Sequence, residues 1–341
     1  MQGPTVWLGQ SVDTSSLCAL HPDFKKAAFL TSLGCAIRKS SLIRTHFNGN
    51  LRFKLGVEGP LMIDSGGFAL SKNKNVRWSW KTVARLFEGI DADVFVSLDH
   101  PPHHSDTKAD RIQKIKTSVQ NYKKLLVVFP GRLIMPVVHG RALSEIELSI
   151  ELVLKMKTPT WVGLGGLVPL LQNQYVSGEI ARLSVETFIA KSLRMVREAF
   201  PKARLHTFGA GGTQTFPALY SLGADSADSI GWRQAAGFGS IFLPLKSQRV
   251  IIWKGNKPPR RTLDETDLED ISRCRCPTCR EAFTLESKLE ALRKGFNKLA
   301  IHNAWIVSNQ VKFWPKGRSA MKNALGEGKL GARWAKTANL Q

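Results

Sequence analysis

Three aspartates lie where an apolar stretch of chain gives way to a polar or glycine-rich one: Asp64, Asp99 and Asp228. In a parallel barrel the carboxyl ends of all strands open at one rim, so side chains from distant parts of the chain meet there. Carboxylates brought together repel one another, and the pKa of one of them should rise. Such a group has the components of a glycosyl reaction, in which one carboxylate attacks the sugar carbon and another handles protons.

Each aspartate also has a structural interpretation. Asp99 could cap the end of a strand, Asp64 could form an Asx-type turn, and Asp228 could serve either purpose. For the three together the chemical interpretation is favoured. A carboxylate at such a rim can also accept hydrogen bonds from the N1–H and amino edge of guanine, so a guanine-like base is a candidate ligand.

A second constellation, Cys274-x-Cys276-x-x-Cys279, places three soft ligands within six positions. His302 follows on a predicted helix and could complete a tetrahedral set of three cysteines and one histidine, which is typical of structural zinc sites. Four protein ligands leave no open position, so we expect this zinc to be structural. Other histidines compete for the fourth position, although they fall in the predicted barrel: His100, His103, His104 and His206.

The composition indicates a nucleic-acid partner. The 341 residues carry 49 Lys and Arg against 27 Asp and Glu, a net charge of +22, and an excess of this size favours a polyanion. No basic amphipathic helix suggests a membrane surface. The five cysteines, with Cys18 and Cys35 isolated, indicate a reducing compartment. No secretory signal is visible and the apolar stretch 125–138 is interrupted, so we expect a cytoplasmic protein.

Strand-like apolar runs alternate with helical patterns along the chain. Strands are predicted over 27–30, 61–68, 93–99, 133–140, 161–166, 205–212 and 223–228. Helices are predicted over 81–89, from a cap at Ser105 or Asp106 to 125, from a cap at Ser144 to 157, and over 184–200, 216–222, 264–270 and 283–306. Alternation of this kind predicts a parallel sheet, and polar residues at every strand end favour a closed α/β barrel over an open sheet.

The chain is expected to divide into three parts. Residues 1–262 form the predicted (β/α)8 catalytic barrel, 263–310 a zinc-binding subdomain, and 311–341 a basic C-terminal segment that is either an ordered flap or a mobile tail. A change of composition over 254–261 to glycine, proline and basic residues marks the connection between barrel and subdomain.

Four motifs, in this order along the chain, resemble the tRNA-guanine transglycosylase superfamily. They are Asp-Ser-Gly-Gly-Phe at 64–68, the strand end at 163–166, Gly-Ala-Asp-x-x-Asp at 223–228, and the cysteine cluster with His302. The resemblance implies an irregular (β/α)8 barrel with a zinc subdomain, dimerisation near that subdomain, and exchange of a guanine in nucleic acid for a 7-deazaguanine base.

The resemblance also implies roles for individual residues. Asp228 would attack C1′ of the nucleoside and form a covalent intermediate, Asp64 would handle the proton, and Asp99 would recognise the base. Further substrate contacts are predicted from Ser65, Gly66, Phe68, His139, Gly165, Gly166, Trp232 and Arg233. Of these, Gly165 and Gly166 would offer backbone N–H groups to the base. Trp232 and Arg233 would fill the gap left by a flipped base or grip the backbone, with ordinary loop packing as the alternative.

Two loops depart from the pattern of the tRNA-modifying branch. His139-Gly140-Arg141 stands in place of Gln-Gly-Gly, and Gly231-Trp232-Arg233 stands in place of Pro-Thr-Arg. The departures favour the DNA-acting branch, which inserts 7-cyano-7-deazaguanine (preQ0) into DNA in bacterial or phage-infected cells. A tRNA transglycosylase with atypical loops is the first alternative, and a non-catalytic nucleic-acid-binding paralogue is the second.

Overall fold

A ring of short parallel strands forms the centre of the molecule, which we describe from a computed structural model. The residues described are 3–34, 51–72, 78–156, 158–253, 259 and 261–340. The strands of the ring are β1 Thr5–Gly9, β2 Phe29–Ser32, β3 Leu61–Asp64, β4 Val94–Val96, β5 Ile134–Met135, β6 Val137–Val138, β7 Trp161–Leu164, β8 Arg204–Thr207 and β9 Ser226–Ser229. Every neighbouring pair in the ring is parallel.

The ring closes at Pro136. The strand order is β5-β4-β3-β2-β1-β9-β8-β7-β6, so the two edge strands are β5 and β6, which are separated by this one residue. Pro136 has no N–H to donate and therefore interrupts the ladder. The two halves of a single bent stretch then pair with different neighbours, β5 with β4 and β6 with β7. The predicted α/β barrel is confirmed.

Helices surround the strands. They are α1 Leu17–Leu20, α2 Leu51–Leu55, α3 Gly67–Lys72, α4 Trp80–Glu88, α5 Lys108–Val128, α6 Leu143–Leu154, α7 Leu167–Leu171, α8 Gly178–Leu183, α9 Val185–Ala199, α10 Thr215–Ser221, α11 Gly231–Gly237, α12 Glu265–Ser272, α13 Leu285–Arg293, α14 Phe296–Asn309, α15 Arg318–Gly326 and α16 Ala332–Ala335. Short 3-10 turns occur at Pro22–Phe24, Gln310–Phe313 and Ala338–Leu340. A two-stranded antiparallel ribbon, β10 Ser240–Ile241 with β11 Arg249–Val250, follows the ring.

Side chains alternate between two cores along the strands. Trp7 points into the ring, where its indole meets Trp161 edge to face at 6.1 Å, whereas Val6 and Leu8 pack outward against the helices. Burial of a large apolar side chain contributes about 1.5–3 kcal/mol. Because both faces of each strand are buried, the strand sequences are continuous apolar runs. β1 has this pattern but was not predicted, because its short run lies among polar turns.

Helix boundaries correct three expectations. The cap of α5 is Thr107, which forms a capping box with Asp110, and neither Ser105 nor Asp106 caps the helix. Helix α6 begins one residue before Ser144, with no side-chain cap. The single helix predicted over 283–306 is two helices, α13 and α14, because Gly295 lies between them at φ +126°.

The C-terminal segment is ordered against the barrel. Trp314 packs edge to face on Phe216, and its ring lies 5.3 Å from that of Tyr220. Arg318, at the start of α15, pairs with Asp225 at 2.6 Å, immediately before β9. These contacts favour the ordered alternative for this segment. The division at 262 and 310 stays a prediction, and both Cys35 and most of the connection 254–261 lie outside the described residues.

Within the part of the chain that the structure describes, no helix combines the length and the apolar character required to cross a bilayer.

Candidate active site and metal centre

The three aspartates meet at the carboxyl-terminal rim of the barrel. Asp64 ends β3, Asp228 lies within β9, and Asp99 follows the end of β4. Because these strands are parallel, their side chains reach the same opening. The negative charges of Asp99 and Asp228 both raise the pKa of Asp64, which places the three carboxylates in one electrostatic group.

Asp64 is built to hold a proton near neutrality. Burial, followed by the charge of Asp99, raises the pKa of its carboxyl to about 7. A hydrogen bond from the Ser32 hydroxyl to Oδ2, at 2.6 Å, acts in the opposite direction. A carboxyl with a pKa near the working pH can both donate and accept a proton, as general acid–base chemistry requires.

The loop after Asp64 is shaped by glycine. Gly66 has φ +89°, and a Cβ built there would lie 2.6 Å from the backbone nitrogen of Gly34. A Cβ on Gly67 would lie 1.9 Å from Oδ1 of Asp99. No other residue fits Gly67 without moving Asp99, so the two glycines of the motif bring the loop directly against the second carboxylate.

Asp99 is held by a buried histidine. Nε2 of His139, which is 2% exposed, lies 2.6 Å from Oδ2 of Asp99, and its N–H donates to this oxygen. The ring has room because Gly165 has no Cβ, which would lie 2.2 Å from Cε1. Nδ1 has no hydrogen-bond partner among the described residues. The structure therefore makes His139 a residue that positions Asp99, beside the turn at Gly165 and Gly166.

Asp228 is fixed through one oxygen. The backbone N–H of Gly209 donates to Oδ1 at 2.6 Å, and Nε2 of His206 lies 3.3 Å from the same atom. His206 is itself aligned by Ser226, whose hydroxyl lies 2.9 Å from Nδ1. Within the described part of the chain, no group hydrogen-bonds to Oδ2. One oxygen is thus oriented by the scaffold while the other is free to react.

The cysteine cluster has the geometry of a tetrahedral metal site. Nδ1 of His302 lies 3.7, 3.3 and 3.8 Å from the sulfurs of Cys274, Cys276 and Cys279. All four ligand atoms are buried and lie within 4.8 Å of one another. Zinc with ordinary bond lengths would separate sulfur and nitrogen by about 3.5 Å. Nε2 of His302 donates to the Phe242 carbonyl at 3.0 Å, which directs the Nδ1 lone pair toward the sulfurs.

Comparison with known proteins identifies the family. The sequence model of the Queuine tRNA-ribosyltransferase family matches residues 36–331. The chain belongs to this family. It is 24% identical over 276 residues to the tRNA-guanine(15) transglycosylase of Pyrococcus abyssi, covering 81% of this chain and 42% of the relative. It is 26% identical over 323 residues to that of Methanosarcina mazei, covering 90% and 56%. The chain therefore spans about half the length of the curated relatives it matches.

The structure corrects the role expected for Trp232 in this family member. The indole is completely buried, and its N–H donates to the Gly9 carbonyl at 3.0 Å. It therefore packs α11 against β1 and cannot fill a gap in a nucleic acid. Arg233 lies over the ring of Phe296 at 5.1 Å and contacts the Ser15 carbonyl at 3.4 Å. The alternative of ordinary packing describes Trp232, whereas Arg233 is half-buried and its contact with a nucleic-acid backbone stays a prediction.

Two other expected contacts differ in accessibility. Ser65 is buried, and its hydroxyl donates to the Ser97 carbonyl at 3.0 Å, so its side chain ties two loops together. Phe68, at the start of α3, is exposed. The sequence reasoning missed the roles of Ser32, Gly67 and Gly209, and it considered His206 only as a metal ligand. The position of His206 inside a predicted strand, three residues before its glycine-rich end, was the signal for a rim residue.

Proposed function

We propose that this chain is a guanine transglycosylase that exchanges a guanine in tRNA for a 7-deazaguanine base. The observation that carries the proposal is the pair of unlike carboxylates at one rim. Asp228 has a scaffold-held oxygen and a free one, and Asp64 holds a proton near neutral pH. Membership of the family and the activity for which the relatives are named support it.

In the first half-reaction, the free carboxylate oxygen of Asp228 forms a bond to C1′ of the target nucleotide. The bond from C1′ to N9 of guanine breaks, and its electron pair moves to the leaving base. Asp64, protonated, supplies the proton that neutralises this base. The product is a covalent ester between Asp228 and the sugar, as in retaining glycosidases.

In the second half-reaction, the incoming base loses its N9 proton to Asp64 and attacks C1′. The bond between C1′ and the Asp228 oxygen breaks, and its electron pair returns to the carboxylate. Since Asp64 begins and ends protonated, the cycle needs no external acid, base or energy source. The pKa of about 7 suits both steps.

Asp99 is the proposed base-recognition group. Its carboxylate can accept hydrogen bonds from the N1–H and amino group of a guanine-like base, while His139 keeps Oδ2 oriented. The backbone N–H groups at Gly165 and Gly166 are proposed to meet the base carbonyl. A charge-assisted hydrogen bond to a base is worth about 1.5–3 kcal/mol, so this pairing gives strong selection for the guanine edge.

The tRNA substrate is better supported than DNA. The relatives are tRNA-guanine(15) transglycosylases, and the loops that favoured DNA have internal roles, since His139 orients Asp99 and Trp232 is buried. Exchange into duplex DNA is therefore the alternative that the experiment below tests. Which 7-deazaguanine is inserted, and dimerisation near the metal cluster, stay predictions.

We propose that Cys274, Cys276, Cys279 and His302 hold a structural zinc ion. When bound, zinc would cross-link the loop after α12 to α14 and contribute folding free energy. Four protein ligands leave no open coordination position, so we assign the metal no part in the exchange chemistry.

The decisive experiment incubates the protein with labelled guanine and either unmodified tRNA or plasmid DNA. We expect label in tRNA. Asp228→Asn should abolish incorporation while tRNA binding persists, and Asp91→Asn, which removes a carboxylate that is 82% exposed, is the matched control. Label in DNA alone would overturn the tRNA substrate. Full exchange by Asp228→Asn would overturn the assigned nucleophile, and absence of exchange with retained binding would support the non-catalytic alternative.

A further inference from the structure

Three aromatic rings form an exposed stack at the barrel rim. The rings of His104 and Tyr175 are parallel within 3° at a centroid distance of 4.1 Å, and His103 lies 4.1 Å from His104. All three residues are exposed, and Tyr175 is 47% exposed. We call these three residues the rim platform. Exposed rings in parallel contact offer further π-faces to a ligand.

The rim platform is assembled from two loops at the active-site end. His103 and His104 follow Asp99 in the loop after β4, and Tyr175 lies in the loop after β7 and its Gly165–Gly166 turn. Both loops leave the carboxyl ends of strands, so the platform shares the rim with the aspartates.

Tyr175 is held in place rather than packed by the core. Its backbone has φ +58°, a left-handed conformation that is unfavourable for an aromatic residue and that marks functional segments. Arg141, in the loop after β6, donates from Nη2 to the Tyr175 carbonyl and lies 3.4 Å from the Ser177 hydroxyl. The Arg141 backbone is in turn anchored on Glu145 at 2.8 Å.

The surroundings of the rim platform are basic. Arg141 and Lys114 are close enough to act on His103, and Asp106 is already paired with Lys114 at 2.6 Å. Burial, with the neighbouring His104, lowers the pKa of His103, so its ring is neutral at pH 7. Aromatic faces beside cationic side chains are the usual arrangement for binding a single-stranded nucleic acid, where bases stack and phosphates meet positive charge.

We propose that the rim platform stacks an unpaired base of tRNA next to the guanine that is exchanged. The inference rests on the proposed function, and it extends it by assigning a binding site for a flanking nucleotide. RNA is favoured because proteins that recognise RNA sequence bind the unstacked bases of single-stranded loops. These bases stack on aromatic side chains of the protein. In duplex DNA the flanking bases stay in the stack and leave the platform without a partner.

The first test measures the dissociation constant of an unmodified tRNA transcript by fluorescence anisotropy, which does not depend on catalysis. Tyr175→Ala and His104→Ala should weaken binding about tenfold or more, whereas Tyr175→Phe should bind like the wild type. Phe53→Ala is the matched control, because Phe53 is 81% exposed on α2, which precedes β3 at the other end of the barrel. Bound zinc and Tm should be equal in all variants.

The second test maps the contact with a transcript that contains 4-thiouridine. Photo-cross-linked, trypsin-digested protein should carry nucleotide on peptides 158–182 and 86–108, which contain the rim platform. Tyr175→Ala should remove the first of these adducts. Wild-type affinity of Tyr175→Ala, or adducts confined to other peptides, would overturn the proposal. A dependence on Tyr175 for single-stranded DNA but not for tRNA would overturn its assignment to RNA.

The outcome is separable from that of the proposed function. If exchange occurs and Tyr175→Ala binds tRNA normally, base stacking on the rim platform is refuted and the proposed transglycosylase activity is retained. If tRNA binding depends on Tyr175 and no exchange is found under any condition, the transglycosylase is refuted and the binding site stands.

Discussion

The raised pKa of Asp64 makes a quantitative prediction about stability. The carboxyl has an ordinary pKa of 3.8 and a pKa of about 7 in the folded protein, with burial as the main cause. A difference of this size corresponds to about 4 kcal/mol at about 1.4 kcal/mol per pH unit. Asp64 is half-buried rather than fully buried, so solvent screening reduces the cost of its ionisation and we expect about 2 kcal/mol.

The sign follows from proton binding. Below pH 3.8 the folded and unfolded states both carry the proton, and Asp64 contributes no difference. Between pH 3.8 and about 7 the folded state keeps the proton that the unfolded state has lost, so stability falls as pH rises. Above this range both states are ionised and the full penalty is present.

Asp64→Asn removes the ionisation and should remove this slope. We expect the variant to gain stability relative to the wild type by about 2 kcal/mol between about pH 4 and pH 8, on top of a constant offset for the changed Ser32 contact. Urea unfolding at a series of pH values measures the difference, with Asp91→Asn as the control for loss of a surface carboxylate. A difference between variant and wild type that is flat across this range would refute the buried, proton-holding role of Asp64.

Three further outcomes follow from the same contacts. His139→Ala should raise the KM for the free base about tenfold, with little change in tRNA affinity, because Asp99 loses a charge-assisted hydrogen bond. Gly67→Ala should reduce kcat/KM for exchange at least about tenfold without loss of zinc, because the new Cβ would displace the carboxylate of Asp99. Cys276→Ser should lower both the zinc content, measured by atomic absorption, and the Tm, measured by calorimetry.

Strand ends could be predicted because local signals determine them. A buried parallel strand requires an apolar run, and its carboxyl end requires turn-forming residues. The strands at 61–68 and 161–166 can therefore be predicted from the amino-acid sequence alone. β1 has the same buried character, but its apolar run of Val6, Trp7 and Leu8 is too short to distinguish from the turns around it. β1 is defined by its parallel pairing with β2 and β9, and this pairing cannot be recognised in the sequence.

The hydrogen-bond partners of Asp99 and Asp228 could not be predicted, because they come from other strands. His139 reaches Asp99 from 40 residues along the chain, and His206 reaches Asp228 from 22 residues. Trp232 illustrates the same limit. An aromatic residue beside a predicted nucleophile suggests a nucleic-acid contact, and only the buried position of its indole against the Gly9 carbonyl shows that it is part of the core.

The departure His139-Gly140-Arg141 has a consistent physical explanation. The loop after β6 sends His139 inward to Asp99 and Arg141 outward to the Tyr175 carbonyl, and buried Glu145 anchors the Arg141 backbone between them. One short segment thus sets both the carboxylate proposed to read the base and the loop that carries the rim platform. Replacement of this segment by Gln-Gly-Gly would remove both contacts at once, so contacts within the chain explain the altered motif without a change of nucleic acid.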